Sequence, residues 1–298
     1  LERIPLTMQK RRTDFIRTPV AATMTLVVLL TNYLAGLSAS PRYAESLWRT
    51  VRKAQAYGLV DTCQLNPDKV NRFLGSLTLS PTTRHNIRRE LMTLWRHAYE
   101  TGETEVFPAR VKKISARIKP PQAWSPQDLS DLVRKAENDQ AWVSNRVRLR
   151  RCDVLPAWIA LGYESGLRLT DMLALRTSDV RNGCVTVQAN KTGKAAIKRL
   201  SQGTVNKVAA LAKFSPDGTL FSWAMPRRRA IVMWRAFLDA NGYAGSSKWL
   251  RRSGATQLER LHPGMATRWL DHSNPALAKK HYIDATLLDL PPAPPPIG

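Results

Sequence analysis

The residues of this chain best suited to chemistry gather toward its C-terminal end. Tyr282 lies in AKKHYID (278–284), ten residues after His272 in WLDHSNPALAKKHYID (269–284). Upstream, SSKWLRRSGATQLERL (246–261) carries Lys248 and Arg251, and ESGLRLTDMLALRTSDV (164–180) carries Arg168. Between them, CVTVQANKTGKAAIKRL (184–200) places Lys191 in an Asn-Lys-Thr-Gly turn with Lys194 close by. A phenol, an imidazole, two guanidinium groups and several ammonium groups are the parts needed to break a phosphodiester without metal. Such a scheme needs a nucleophile, fixed cations around the non-bridging oxygens, and an acid for the leaving oxygen. A phenol with an ordinary pKa of about 10 is mostly protonated at neutral pH, so neighbouring cations must favour its anion. Signatures of a metal site are missing: there is no HExxH, and Cys63, Cys152 and Cys184 are far apart without CxxC spacing.

Taken singly, each segment is ordinary. Arg168 stands at a loop–helix junction with Asp171 as an obvious partner, and Thr170 is placed to cap a helix burying Leu173 and Leu175. Lys248 and Arg251 share one face of a basic amphipathic helix whose Leu250, Leu258 and Leu261 turn to the core. His272 precedes an Asn274-Pro275 helix start that carries the chain through Tyr282, with the helix expected over 275–285. A lone histidine of this kind is usually a cap or a core residue, and a lone tyrosine is usually packing.

The charge balance narrows the choice. The 298 residues hold 46 Lys+Arg against 23 Asp+Glu, a net charge of +23 and a pI near 10.6. That excess, spread along the whole length, favours a polyanionic partner, because every neutralised phosphate releases condensed counterions. A basic membrane-binding surface is the competing reading, but the cations do not gather beside one apolar helix. The run AATMTLVVLLTNYLAGL (21–37) is short, contains Thr and Asn, and reads as a buried amphipathic helix. The residues before it lack the layout of a signal peptide, and the chain opens on Leu1, so its natural start is expected to lie further upstream. Sparse, separated cysteines fit reduced thiols in the cytosol.

The elements that must position these residues can be read from caps and periodicity. LSASPRYAESLWRTVRKAQAYG (37–58) and LTLSPTTRHNIRRELMTLWRHAYETG (77–102) both open on Ser-Pro and close on Gly. Ser40 and Ser80 are N-cap residues, and Pro41 and Pro81 suit the first helical turn. Leu47, Val51 and Ala54 follow helical spacing, as do Ile87, Leu91, Leu94 and Ala98. With helices over 23–36 and 67–76 they predict a four-helix unit over residues 20–105, its basic face including Arg42, Arg49, Arg52, Lys53, Arg84, Arg88, Arg89 and Arg96. VFPARVKKISARIKPPQAW (106–124) reads as a basic linker lying on something anionic. Ser125-Pro126 with Asp128 caps the first helix of a second domain over 125–290. That domain is helical except for a hairpin whose first strand alternates at Val185 and Val187, turns at Gly193 and returns through Ile197. Helices resume near 203–214, 227–241, 247–261 and 264–270, and a proline-rich tail ends the chain over 291–298.

In combination, the order GLRLTDMLALR, hairpin lysine, KxxR, LDHS and a tyrosine ten residues later resembles the catalytic domain of the tyrosine recombinases, the phage-integrase family. The likeness extends to the helical first domain and the linker. It implies a mainly α fold with a small β-hairpin or sheet: a four-helix core-binding domain joined to a mixed α/β catalytic domain. It further implies that Arg168 and Arg251 clamp the scissile phosphate, that Lys191 protonates the 5′ leaving oxygen with Lys194 as the alternative, and that His272 assists. Tyr282 would be the nucleophile, giving a 3′-phosphotyrosyl link. The motif usually has His where this chain has Lys248, and Leu-Gly-His where it has Leu270-Asp271-His272. Arg227, Arg228 and Arg229 match a DNA-contacting helix start, and Arg49, Arg52, Arg88, Arg89 and Lys194 are further candidates for DNA contact. The implied partners are double-stranded DNA and, on paired sites, three further copies; the free chain is a monomer or weak oligomer. No cofactor, metal, ATP or membrane is expected, and a prokaryotic host would place the protein with the nucleoid. Residues 284–290 can dock on a neighbouring subunit or on their own domain. Two other readings stay open: a DNA-binding accessory protein that has lost catalysis, and a nicking-rejoining enzyme of type IB topoisomerase kind.

Overall fold

The Ser-Pro starts work as caps. In the computed structural model, which describes residues 23–115, 119–144, 148–188, 193, 195–221, 223 and 226–288, Ser40 Oγ accepts from Tyr43 N (3.3 Å) and Ser80 Oγ from Thr83 N (3.2 Å). They begin α2 (Pro41–Ala56) and α4 (Pro81–Glu100), which join α1 (Leu26–Ala35) and α3 (Pro67–Ser76) as the helical first unit. The expected core positions Leu47, Val51, Ala54, Ile87, Leu91, Leu94 and Ala98 are all buried, together with Phe73 and Trp95. A polar pin crosses this core: buried Glu90 on α4 accepts from Ser46 (2.7 Å) and Thr50 (2.5 Å) on α2. Both oxygens find donors, which a buried carboxylate requires.

The chain divides into two units, Leu1–Ile118 and Lys119–Gly298, so the boundary falls inside the expected linker. Residues 106–114 are fastened to the first unit. Trp95 Nε1 donates to Val106 O (2.7 Å), Arg88 donates to Lys112 O (2.9 Å) and Val111 O (3.1 Å), and Lys112 N donates to Asn71 Oδ1 (2.8 Å). Val111 is buried in the same core.

The second unit opens with a reciprocal cap: Asp128 N donates to Ser125 Oγ (3.1 Å) and Ser125 N to Asp128 Oδ2 (3.0 Å). It starts α5 (Pro126–Glu137), followed by the short strands β1 (Trp142–Ser144) and β2 (Leu149–Arg150) and by α6 (Arg151–Ser165). Helix α6 is apolar on nearly every side, as a central helix must be. It packs against α5, α8 (Gln202–Ala212) and α10 (Ser247–Leu261). Between them come α7 (Leu169–Ala174) and an antiparallel sheet of β3 (Val180–Arg181), β4 (Cys184–Gln188) and β5 (Ala195–Arg199). α9 (Arg227–Ala240), α11 (Met265–Trp269) and α12 (Pro275–His281) complete the α-helices among the described residues.

Several details depart from the sequence expectations. Helix α7 starts one residue after Arg168, which occupies the N-cap, so Thr170 lies inside the helix. Its Leu173 and the following Leu175 are buried as expected. On α10, Leu250 is buried but Leu261 is 60% exposed; the inward face is Arg251, Ser253, Gly254, Ala255 and Thr256. On β5, Ile197 points outward at 68% exposure while Lys198 is buried at 7%. Helix α12 stops at His281, because Ala278 O takes both Tyr282 N (2.9 Å) and Ile283 N (3.3 Å) and the chain then turns away. Leu288 packs on the small cluster of Ala255, Ala266, Leu270, Ala278 and Ile283, so the chain up to this residue rests on its own unit.

Gly254 permits the close contact of α10 with α6: a β-carbon there would overlap Tyr163 O and lie 2.7 Å from the Trp269 ring. Gly254→Ala is expected to lose about 1–3 kcal/mol in a denaturant titration through overpacking. Gly75→Ala on α3, which meets open space, is expected to gain roughly 0.5–1 kcal/mol.

Candidate active site

Tyr282 sits just beyond the C-terminal end of α12, half-buried, with the chain on both sides tied to α10. Thr256 Oγ1 donates to Tyr282 O (3.4 Å) and accepts from Asp284 N (2.9 Å). Arg252 Nε donates to His281 O (3.1 Å). The same turn holds the strap that begins the second unit. Asp284 Oδ2 accepts from Ala123 N (2.9 Å), Arg252 Nη1 donates to Gln122 O (3.4 Å), and Trp124 N donates to Ser253 Oγ (2.8 Å). Asp284 is itself buried and caps Thr286 (3.0 Å).

Around the Tyr282 ring the structure assembles the cations expected from sequence. The Arg251 guanidinium carbon lies 5.0 Å from the ring centroid and Lys248 Nζ 5.3 Å from it. The His272 ring is centred 5.0 Å away, edge-on at 74°. Arg251 is 5% exposed, in contrast to the solvent-facing position its helix pattern suggested. It points inward because its acceptors are there: it donates from Nη1 to Gly166 O and from Nη2 to Leu270 O (2.9 Å). Its Nε is buried without a partner. Burial lowers its pKa from the ordinary arginine value, Tyr282 opposes this, and Arg168 adds to the lowering. Arg168 is half-buried, 3.7 Å from Asp171 Oδ2, and acts on both Arg251 and His272. Gly166 shapes the approach. Its φ of +60° turns the chain, and a β-carbon would collide with the Trp269 ring.

His272 holds a buried Nδ1 without a hydrogen-bond partner. Burial pushes its pKa below the ordinary imidazole value, Arg251 and Arg168 push it further, and Asp271 pulls the other way. The imidazole is therefore mainly neutral at pH 7 and able to accept a proton. Burial also lowers the Lys248 ammonium, helped by Arg252 and Arg251. That is the direction needed before a lysine can stand in for histidine in proton transfer.

The hairpin that carries Lys191 and Lys194 is in register from Cys184↔Arg199 to Gln188↔Ala195, and Gly193 takes φ +66° as expected. The two lysines themselves lie outside the described residues. Of the candidate DNA contacts, Arg49, Arg52, Arg89, Arg227, Arg228 and Arg229 are exposed, and Arg49 is 4.0 Å from Glu45. Arg88 instead spends its guanidinium on the carbonyls of residues 111–112. The three arginines from 227 begin α9, whose N-cap Pro226 offers no side chain to the first amides. Lys198, Arg252, Thr256 and Asp284 escaped the sequence reading. Lys198 had one visible signal, a charge at the inward phase of a strand opposite Val185.

Among the described residues no group of three His, Cys, Asp or Glu is placed to hold a metal ion, and no helix is long and apolar enough to cross a membrane.

This architecture is the tyrosine-recombinase fold. A lambda integrase tetramer bound to a Holliday junction superposes with a TM-score of 0.68 at 14% identity, covering 84% of this chain and 78% of that one. The Tn1549 transposon integrase (aa 82–397) in complex with circular intermediate DNA gives 0.69 at 14% identity, covering 89% and 97%. The site-specific recombinase XerH in a post-cleavage complex on a palindromic difH substrate gives 0.60 at 17% identity, covering 74% and 68%. No protein-family model matches the sequence, and no curated protein matches it.

The lowered His272 pKa has a sign. Such a group's contribution to stability is present above its unfolded value of about 6.5 and is lost as pH falls through the folded one. An NMR titration should place the His272 midpoint below that of free histidine, and His272→Asn should flatten the acid-side loss of stability.

Proposed function

We propose that the protein is a site-specific DNA recombinase. The observation that carries this reading is the gathering of Arg251, Lys248 and His272 around one phenol, with Arg168 acting on two of them. Tyr282 Oη attacks a phosphorus, the bond to the 5′ oxygen breaks, and a 3′-phosphotyrosyl link and a free 5′-hydroxyl result. Arg168 and Arg251 hold the non-bridging oxygens, a task suited to planar guanidinium groups. Neutral His272 takes the phenolic proton or hydrogen-bonds the phosphate. The resemblance assigns protonation of the leaving oxygen to Lys191, with Lys194 as the alternative. A 5′-hydroxyl from a second duplex then attacks the phosphotyrosyl bond and releases Tyr282. One phosphodiester replaces another, so the exchange needs no ATP and no metal Lewis acid.

Double-stranded DNA is the partner, held by the exposed arginines of α2, α4 and the start of α9. Lambda integrase has been seen as a tetramer on a Holliday junction. By analogy, four copies of this chain would act on two paired sites.

The test is covalent trapping. Duplexes selected for binding from a varied pool are nicked near their centre, so that the cleaved strand cannot be rejoined. The wild type should form a protein–DNA adduct, and Tyr282→Phe should form none. Arg168→Ala and Arg251→Ala should each slow adduct formation by about two to three decades, the usual cost of one donor to a developing oxyanion. Binding without an adduct on every selected duplex would leave an accessory DNA-binding protein. Relaxation of supercoils without joining of two duplexes would leave a topoisomerase.

Replacing Arg227, Arg228 and Arg229 with Ala should weaken binding to all duplexes alike. The salt dependence of log K should become shallower by about 0.9 for each phosphate that is no longer neutralised. An unchanged slope would remove α9 from the interface.

A further inference from the structure

Asp271 stands where the resembled motif has glycine, and its backbone shows what glycine supplies there: φ is +57°. L side chains rarely adopt that conformation, although aspartate tolerates it better than most. The Asp271 carboxylate is paired, with Oδ2 2.8 Å from Lys198 Nζ. The Lys198 ammonium also donates to Trp269 O (2.5 Å). Lys198 is buried on β5, opposite fully buried Val185, while its neighbour Ile197 faces solvent. An ammonium at an inward strand position is costly unless it is paired. Both of its partners belong to the turn 269–271. That turn also supplies Leu270 O to Arg251 and leads directly into His272. The turn is thus held at Trp269 O and Asp271 by Lys198, and at Leu270 O by Arg251.

Left alone, the Asp271 carboxylate would be a rival anion in a site built for phosphate, because both Arg251 and His272 feel its charge. Among the described residues, Arg251, Arg168, Asp271 and His281 act on His272 by charge, and the titratable Tyr282 ring packs edge-on against it. Lys198 bears on it through Asp271 and the turn.

We propose that Lys198 is a positioning residue of the Tyr282 site: its ammonium holds and balances the Asp271 carboxylate, so that an acidic side chain can stand beside the phosphate-holding arginines without drawing them out of place. The inference rests on reading Tyr282, Arg251 and His272 as a phosphodiester-cleaving centre. It makes residues 198 and 271 a coupled pair in which each justifies the other.

The experiment is a cycle of Lys198→Met, Asp271→Gly and the double variant, read by adduct formation at saturating nicked DNA, by DNA affinity, and by the NMR titration of His272. Lys198→Met should slow adduct formation about tenfold to a hundredfold, the cost of a small misplacement of reacting groups, with little change in affinity. Its freed carboxylate should raise the His272 midpoint. Asp271→Gly accepts the positive φ without a partner and should cleave close to the wild-type rate. The double variant should match Asp271→Gly within about threefold, a strongly non-additive result. A double variant as slow as Lys198→Met, or a Lys198→Met protein with wild-type rate and an unmoved His272, would overturn the proposal. If Lys198→Met does not fold, the double variant against Asp271→Gly decides: equal rates support the proposal and a tenfold gap overturns it. Should the wild type form no adduct on any selected duplex, the cleavage reading fails. The His272 midpoint in Lys198→Met then decides the pairing alone, a rise supporting it and an unchanged value overturning it.

Discussion

A guanidinium that is 5% exposed constrains everything near it. Arg251 cannot be left without acceptors, because an unpaired buried charge is among the most destabilising features a fold can carry. Its acceptors are the carbonyls of Gly166 and Leu270, which come from the loop after α6 and from the end of α11. One side chain therefore fixes the segment leading to Arg168 and the segment leading to His272. The glycines follow from the same requirement. Gly166 and Gly254 leave room for the Trp269 ring, which brings the α11 turn close enough to meet the arginine. The cost is a helix face lined with a charge, a serine and a threonine where leucines would ordinarily pack.

Local signals were the legible ones. The caps at Ser40, Ser80 and Ser125 and the positive φ at Gly193 depend on a few adjacent residues, and the sequence displays them directly. The helical cores of α2 and α4 follow from spacing alone. What escaped depends on partners far along the chain. Arg251 reads as a surface residue because its two acceptors lie 85 positions before it and 19 after it. Lys198 and Ile197 exchange the faces their polarity suggests, because a carboxylate and a carbonyl wait inside for the ammonium. The early end of α12 follows from Thr256, which captures both the carbonyl of Tyr282 and the amide of Asp284. No window of the sequence contains these interactions.

The basic connecting stretch shows a related limit. Its prolines and charges read as one spacer, yet residues 106–114 belong by their hydrogen bonds to the first unit and residues 122–124 to the second. Composition reports that a segment forms no regular element. It does not report which carbonyls and amides its backbone will satisfy. Arg88 illustrates the difference, since a side chain that composition assigns to phosphate is occupied by main-chain oxygens.

The lacing of Gln122 and Ala123 to Arg252 and Asp284 gives the second unit a mechanical property. Asp284 lies two positions beyond the phenol-bearing residue, and Arg252 grips the residue just before it. The strap reaches the backbone on either side of Tyr282 through two polar links, and through Arg252 and Ser253 it also grips α10, the helix that carries Arg251. Phenol and cradle are thereby yoked to the same three residues of the connecting chain, so that whatever pulls on it is felt by both ends of the reacting geometry.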